Sequence, residues 1–292
     1  MSRLSHHNPN YQHAEGAFDA AYHLEMVRDL ERVQAGKQAI DQTLSKEDTF
    51  LELGCGSGIF SIHAARKCKK VYAVDIDAQI LEIAKKNAAT AGVSHKIEFI
   101  HSDVFNLQLP ERCDLLFCEM MSIWAINEPQ VAVVRYARKH LLKENPVLIP
   151  RRILNLVELG QTDYTIDGIE IKASIAQFSG IKAPRIITES RLVSTLNLDQ
   201  DIPDQMDLKI TMTALVTAEI NCARLSSIVE FAPGVPFYST DSLMPLTIVP
   251  LEQAMKVEAG QIINFHARYM HRSGLEKGQF WVEAGKIKAD LT

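Results

Sequence analysis

Residues 52–58 read Glu-Leu-Gly-Cys-Gly-Ser-Gly, a glycine-rich turn at the end of an apolar run over residues 49–53. Glycine lets the backbone turn sharply and approach a ligand closely. The helical pattern that begins at Ile59 offers free N–H groups in its first turn. A dinucleotide site would read Gly-x-Gly-x-x-Gly, whereas the third glycine here comes one residue early. The turn therefore predicts a ligand site after a strand and favours a ligand other than a dinucleotide.

Strand and helix patterns alternate around this turn up to about residue 150. The predicted strands cover residues 49–53, 71–75, 97–100 and 115–118, and the predicted helices cover residues 18–40, 59–66, 78–90 and 128–142. Strands that alternate with helices indicate right-handed crossovers and a parallel sheet. Continuously apolar strands are typical of a sheet that is covered on both faces. We expect Asn145-Pro146 to break the last of these helices.

Acidic residues follow three of these strands, at the edge where parallel sheets bind ligands. The Asp75 carboxylate could accept hydrogen bonds from both hydroxyls of a ribose, and Asp103 could accept one from an adenine amino group or cap a turn. Glu52 would repel a pyrophosphate and suits a ligand with an ammonium group. These residues together describe a nucleoside whose other end is cationic. S-adenosylmethionine fits that description, and a nicotinamide dinucleotide fits it less well.

Short alternating strands dominate after residue 150. Apolar and polar residues alternate over 208–213 and over 263–269. A period of two with one apolar face is typical of antiparallel strands over one core. The second half is therefore predicted to form a mostly antiparallel β-barrel or sandwich.

Composition limits the class of protein. The chain has 292 residues, a net charge of −5, 47% hydrophobic and 23% charged residues, which is typical of a globular protein. No apolar run approaches the ~20 residues that span a bilayer, and no secretory signal pattern opens the chain. Five cysteines without a Cys-x-x-Cys pair argue against a disulfide framework or a zinc site. We expect a cytoplasmic protein without a membrane partner, and the acidic balance makes nucleic acid an improbable partner.

Two longer stretches resemble a known family. Residues 50–77 resemble the cofactor-binding motifs of class I S-adenosylmethionine-dependent methyltransferases. Residues 118–128, Cys-Glu-Met-Met-Ser-Ile-Trp-Ala-Ile-Asn-Glu, resemble the double-glutamate loop of the protein arginine N-methyltransferases, with Glu119 and Glu128 nine residues apart as in that family. Residues 23–32 resemble the family's cofactor-covering helix.

The resemblance implies the site residues. Glu119 and Glu128 would be catalytic, and Arg32 would hold the methionine carboxylate of the cofactor, a natural use of a guanidinium. The residues expected to bind the cofactor are His23, Arg32, Glu52, Gly54, Gly56, Gly58, Asp75, Ile76, Asp103 and Val104. The implied cofactor is S-adenosyl-L-methionine, the product is S-adenosyl-L-homocysteine, and no metal is required.

The resemblance also implies a fold and a domain organisation. Residues 1–45 would form a cofactor-covering helix region, residues 46–150 a Rossmann-like class I methyltransferase domain of the α/β class, and residues 151–292 a β-barrel-like domain for substrate or assembly. Ile149-Pro150 resembles the family's junction between the two domains. The family's dimerisation arm is abbreviated here, around residues 163–183, and a homodimer is possible.

The paired glutamates suit N-methylation of a guanidino or amino group. Two carboxylates can grip a planar guanidinium and place one nitrogen in line with the methyl group. One glutamate could then accept the proton. Without the resemblance, the two residues could equally be a strand-end acid and an acid in the first turn of a helix.

Three departures from the family pattern leave the acceptor open. Ser122-Ile123 stands where the family has glycine and tyrosine, and Asn127 stands where an aromatic residue is common. The family's Thr-His-Trp loop has no match, and residues 242–244 are the best-placed segment. The acceptor could be arginine in a protein, or a small molecule with a guanidino or amino group.

Other interpretations use the same residues. The chain could be a non-catalytic, cofactor-binding assembly partner, or a methyltransferase for an unrelated metabolite, or a nicotinamide dehydrogenase that binds a dinucleotide tightly. Trp124 could line the substrate pocket or lie in the core. His266 and His271 are interpreted as polar surface residues.

Overall fold

A five-stranded parallel sheet forms the first half of the chain. The computed structural model describes residues 20–178, 180–239 and 244–285. The strands are β1 (Thr49–Leu53), β2 (Lys70–Asp75), β3 (Ile97–His101), β4 (Cys113–Cys118) and β5 (Leu142–Ile149). The helices are α1 (Ala20–Arg28), α2 (Leu30–Thr43), α3 (Ile59–Ala65), α4 (Ala78–Thr90) and α5 (Gln130–His140). The strand order β3-β2-β1-β4-β5, with every neighbouring pair parallel, confirms the predicted α/β sheet.

The prediction of a single helix over residues 18–40 is wrong in the described part of that range. The helix is divided between α1 and α2 at Asp29. The Asp29 side chain accepts a hydrogen bond from the backbone N–H of Arg32 at 3.1 Å and thereby caps α2. A carboxylate at this position stabilises a new helix start, because the first backbone N–H groups of a helix lack partners within it.

The pair Asn145-Pro146 lies inside a strand, where we expected a break. Helix α5 ends at His140, and β5 begins two residues later. The register of β5 against β4 shifts between Leu142 and Val147, so that Asn145, at φ 55°, lies in a bulge. A bulge accommodates both a positive φ and a residue without an N–H donor.

Antiparallel strands form the second half. They are β6 (Arg152–Gln161), β7 (Thr165–Ile166), β8 (Ile169–Glu170), β9 (Ile175–Ala176), β10 (Arg185–Ile186), β11 (Arg191–Asn197), β12 (Gln205–Thr213), β13 (Ala218–Ala232), β14 (Val235–Tyr238), β15 (Thr247–Val257), β16 (Ile262–Met270) and β17 (Gln279–Ala284). A seven-stranded sheet is built around β6, β13 and β15, and a three-stranded sheet has the order β12-β16-β17. The predicted alternation is confirmed, since β16 buries Ile263, Phe265 and Ala267.

The two halves share one continuous core. Helix α2 packs against β13 and β14 as well as against α3. The ring of Phe117 on β4 stacks on that of Phe231 on β13, with centroids 6.1 Å apart. The parallel sheet ends at Ile149 and the antiparallel strands begin at Arg152. No helix in the described ranges is long and apolar enough to cross a membrane.

Candidate active site

The glycine-rich turn lies where β1 ends and α3 begins, as predicted. Gly54 and Gly56 have φ values of 75° and 51°. A Cβ atom on Gly54 would lie 2.6 Å from Met120 Cε, and one on Gly56 would lie 2.8 Å from His23 Nδ1. A residue with a side chain at position 54 or 56 would therefore have to displace the Met120 or the His23 side chain. The third glycine, Gly58, is the N-cap of α3.

Asp75 faces this turn from the end of β2. Its Oδ2 accepts a hydrogen bond from the N–H of Gly56 at 2.8 Å, and its Oδ1 accepts one from the N–H of Asp77 at 3.0 Å. A carboxylate has about four acceptor positions, so both oxygens keep capacity for ribose hydroxyls. Ile76, the next residue, is 45% exposed and available to a ligand. The two predicted ribose-side residues thus adjoin the glycine turn.

Asp103 and Val104 follow β3 at the same edge of the sheet. The Asp103 carboxylate accepts a hydrogen bond from the N–H of Phe105 at 2.9 Å and caps a short helical turn, which is the capping role that the sequence left open. The Val104 side chain is buried in the core. Their assignment to the adenine end stays a prediction.

Glu52 lies on β1 and is almost completely buried. It accepts a hydrogen bond from the hydroxyl of Ser61 on α3. Burial raises the pKa of Glu52 to about 8, and Ser61 opposes that rise. The carboxyl group is therefore mostly protonated at pH 7, so that it attracts an ammonium group through an oxygen dipole rather than through a full charge.

Arg32 joins the cofactor-covering helices to the double-glutamate loop, which we define as residues 119–128. Its Nη1 donates to the carboxylate of Glu119, and its Nη2 donates to the backbone carbonyl of Met26. The guanidinium lies over the ring of Phe60 at 6.0 Å. The side chains of the ion pair are only 7% and 9% exposed. Arg32 Nε is buried and has no hydrogen-bond partner in the described part of the chain, so the guanidinium can still receive an anionic group.

The double-glutamate loop is closed by hydrogen bonds from its own residues and from α5. Gln130 donates from Nε2 to the carbonyl of Cys118 at 2.7 Å and accepts at Oε1 from the N–H of Met120 at 2.8 Å. The hydroxyl of Ser122 accepts from the N–H groups of Asn127, at 2.9 Å, and Glu128, at 3.2 Å. Ser122, one of the departures from the family pattern, therefore fixes the backbone at Glu128.

The pKa values of both glutamates are raised by their surroundings. Burial and the neighbouring charge of Glu119 raise the pKa of Glu128 to about 8, and Arg32 opposes the rise. Burial also raises the pKa of Glu119, which its ion pair with Arg32 opposes. Two carboxyl groups whose charges interact ionise in succession. The loop can thus hold one charged and one neutral carboxyl group at neutral pH, and it gains acceptor charge when a cation binds.

Three residues of the loop and its surroundings make contacts that the sequence did not predict. Trp124 proves to be fully buried rather than lining an open pocket, and its indole N–H donates to the carbonyls of Leu156 and Ser226 at 3.1 Å each. His271, interpreted as a surface residue, is 7% exposed and contacts the loop. Asn127 accepts a hydrogen bond from the N–H of Leu275 at 2.9 Å. His271 reaches the loop only through long-range packing, so no local pattern could have indicated its contact.

The expected counterpart of the Thr-His-Trp loop falls largely outside the described residues. Of residues 242–244, Met244 is described and is buried, whereas residues 242 and 243 are not. Within the described ranges, no group of three or more histidine, cysteine or acidic side chains has an arrangement suited to a metal ion.

A family profile and curated relatives identify the type of enzyme. Residues 50–144 match the profile of a methyltransferase domain. An uncharacterized protein of Methanocaldococcus jannaschii is 26% identical over 242 residues, which cover 82% of this chain and 89% of that protein. Protein arginine N-methyltransferase 1 of Oryza sativa subsp. indica is 27% identical over 219 residues, covering 68% of this chain but only 56% of the rice protein. The yeast protein of the same name is 26% identical, with coverages of 74% and 62%.

Solved structures share the fold. The PRMT1 enzyme–prozyme heterotetrameric complex of Trypanosoma brucei with AdoHcy superposes with a TM-score of 0.76 at 18% identity, covering 90% of this chain and 98% of that one. Arabidopsis thaliana protein arginine methyltransferase 10 superposes with a TM-score of 0.74 at 15% identity and the same coverages. Given the methyltransferase-domain match over residues 50–144, the chain is an S-adenosylmethionine-dependent methyltransferase, and it resembles the protein arginine N-methyltransferases in sequence and in fold. The predicted combination of a Rossmann-like sheet and a β-barrel-like second half is confirmed.

Proposed function

We propose that this protein methylates a guanidino or amino nitrogen that Glu119 and Glu128 hold. The observation that carries the proposal is the placement of two carboxyl groups on one loop, the Glu119 side chain buried and Glu128 half-buried, with an arginine already bound to Glu119. A loop that grips the guanidinium of Arg32 has the chemistry to grip that of an acceptor.

The residues present suit S-adenosylmethionine. Arg32, with its unpartnered Nε, would take the methionine carboxylate, and Asp75 would take the ribose hydroxyls. Gly54 and Gly56, both at positive φ, let the backbone turn sharply at the end of β1, where the ligand would bind. When bound, S-adenosylmethionine supplies an electrophilic methyl group on a sulfonium. His23, Glu52, Gly58, Ile76, Asp103 and Val104 complete the proposed cofactor set.

The loop would orient the acceptor and remove its proton. Glu119 and Glu128 would bind two nitrogens of the guanidinium and direct its third nitrogen toward the methyl group, and such positioning can supply about 7–11 kcal/mol of the barrier. The methylated nitrogen would pass its proton to the Glu128 carboxylate, whose raised pKa suits a base near neutral pH. The proposed mechanism uses no metal.

The destination of the methyl group tests this function. Purified protein, methyl-labelled S-adenosylmethionine and a cell extract would be incubated together, and the products separated by size. We expect Glu128→Gln to lower the rate of labelling about 100-fold or more, because it removes the base. The matched control is Glu258→Gln, at an exposed turn after β15, which should leave labelling unchanged.

The result also separates the alternatives. Label in protein would support an arginine acceptor, and label in small molecules would support a metabolic acceptor. Unchanged labelling by Glu128→Gln would contradict the role of the loop. Tight binding of S-adenosylmethionine without any labelling would instead support the non-catalytic assembly partner.

Homodimer formation completes the proposal. The hairpin of β7 and β8 exposes 65% of Ile169 and 68% of Ile171. A groove of about 440 Å³ between α1, α3 and α4 is lined by aliphatic side chains such as Ile62 and by the cations Lys37 and Arg66. The apolar hairpin could enter that groove on a second copy. Because all five cysteines are free buried thiols, we also propose a reducing compartment such as the cytoplasm.

A further inference from the structure

The centre of the double-glutamate loop has a backbone conformation that needs outside support. Trp124 and Ala125 have φ values of 57° and 54°, in the left-handed region. Residues other than glycine rarely adopt it, and a conformation of this kind persists when surrounding contacts fix it. The two residues lie between Glu119 and Glu128, so their backbone conformation determines how the two carboxyl groups face each other.

Contacts from the second half of the chain supply this support. The Ser227 hydroxyl on β13 accepts a hydrogen bond from the N–H of Trp124 at 3.1 Å. In the turn after β16, Nδ1 of His271 lies 2.8 Å from the carbonyl oxygen of Ala125, and the N–H of Arg272 donates to the carbonyl of Ile126 at 2.7 Å. Three successive residues of the loop, 124–126, are thus each held by at least one hydrogen bond from the second half of the chain.

The contact of His271 fixes the tautomer of that side chain. The carbonyl of Ala125 can only accept, so Nδ1 must carry the proton. Nε2 is buried and has no hydrogen-bond partner in the ranges that the structure describes. Tyr269 lies edge-on to the imidazole, with centroids 5.5 Å apart. A ring that is buried in this way, with one nitrogen engaged by the loop, has a fixed orientation.

We infer that His271 is a positioning residue for methyl transfer: its Nδ1–H bond to Ala125 holds the double-glutamate loop so that Glu119 and Glu128 face the acceptor. The inference rests on the proposed function for its catalytic consequence. Its structural consequence, a loop held by the second half of the chain, is independent of the acceptor. His271 acts through the loop backbone and does not itself take part in the reaction.

Two substitutions at His271 test the hydrogen bond. His271→Leu removes the donor and fills a similar volume, whereas His271→Asn can place its amide Nδ2 near the position of Nδ1. His266→Leu is the matched control, since His266 lies on β16, the strand that leads to His271, and stacks on Trp281, with ring centroids 4.8 Å apart. Its contacts with Trp281 and Glu283 are made to β17, so it reports the cost of altering β16 alone.

Hydrogen exchange of residues 122–128 is the first measurement, because it needs no acceptor. We expect exchange to accelerate about tenfold in His271→Leu, because a factor of this size corresponds to the net stabilisation by one hydrogen bond. We expect little change in His271→Asn and His266→Leu. Equal exchange in all four proteins, or equal acceleration in His271→Leu and His266→Leu, would overturn the inference.

Steady-state kinetics then test whether the position of the loop affects the rate of methyl transfer. With the labelled acceptor, kcat/KM should fall about tenfold or more in His271→Leu, because small displacements of catalytic groups are costly. It should recover to within about threefold of wild type in His271→Asn, and the affinity for S-adenosylmethionine should stay within about twofold in both. Failure of Glu128→Gln to slow labelling would overturn the proposed function and leave the exchange result standing, so the two failures are distinguishable.

Discussion

At the scale of single residues, the raised pKa of Glu128 predicts how methyl transfer depends on pH. Its pKa of about 8 lies well above that of an exposed glutamate, so the side chain is neutral in the free protein at pH 7. The proposed grip on the acceptor needs the ionised form. Since the ionised fraction rises about tenfold per pH unit below the pKa, kcat/KM for a guanidino acceptor should rise by that factor from pH 6 to 7 and level off above about pH 8.

The pH profile of kcat/KM, measured from pH 6 to 10, checks this prediction. Glu52 has a similarly raised pKa of about 8, so Glu52→Gln is the necessary control and should keep the same rise. Loss of the rise in Glu52→Gln would assign the titration to Glu52 instead. An amine acceptor, which must lose a proton before it attacks, would extend the rise toward pH 10. A flat profile would contradict the role of Glu128.

At the scale of the secondary-structure element, the break between α1 and α2 places Arg32 in the first turn of a helix. Asp29 makes this break by capping α2 at the N–H of Arg32. We predict that Asp29→Ala lowers the free energy of unfolding by about 1 kcal/mol, the usual cost of losing an N-cap. It should also weaken binding of S-adenosylhomocysteine, because Arg32 would lose its fixed orientation.

Urea denaturation and calorimetric titration measure the two effects of Asp29→Ala. Asp29→Asn keeps a capping oxygen and is the matched variant, which should retain both stability and affinity. If Asp29→Asn loses affinity as fully as Asp29→Ala, the charge of Asp29 rather than the cap orients Arg32. Unchanged affinity in both variants would show that the cap of α2 does not contribute to cofactor binding.

The elements also show what the sequence could and could not predict. Helix α4 was predicted over its full length, because its apolar periodicity and its N-cap Asp77 are local signals. The spacing of Glu119 and Glu128 was equally visible. The bulge at Asn145 was not, because its register depends on β4. His271 was also missed, since it reaches the loop only once β16 has packed against a segment about 150 residues earlier.

At the scale of the whole molecule, the β-strand half completes the site that the parallel sheet begins. The sheet carries the glycine turn and Asp75 at its edge, as sheets of this class do. The loop proposed to receive the acceptor is instead held from both sides, by Gln130 of α5 and by Ser227 and His271 of the second half. The two halves therefore cannot be separated without loosening the acceptor site, and substitutions in the barrel should affect catalysis.

The assembly proposal is also a statement about the whole molecule. Burying Ile169 and Ile171, which a monomer leaves exposed at one hairpin, would stabilise a dimer by about 1.5–3 kcal/mol for each fully buried side chain. The hairpin also carries Asp167, whose charge complements Lys37 and Arg66 in the groove, whereas Glu170 already pairs with Lys172 at 3.4 Å. In a two-fold dimer, each hairpin would enter the partner's groove, so that every contact is made twice.

Sedimentation velocity decides whether this dimer forms. We expect the wild-type chain to sediment at twice its mass of 32.7 kDa at micromolar concentration. The double variant Ile169→Asp, Ile171→Asp should sediment as a monomer, because four buried aspartates per dimer would each lose solvation. Leu215→Asp, at a residue that is 60% exposed elsewhere on the β-strand half, is the control and should leave the dimer intact. A monomeric wild type, or equal dissociation by Leu215→Asp, would contradict the hairpin as the dimer contact.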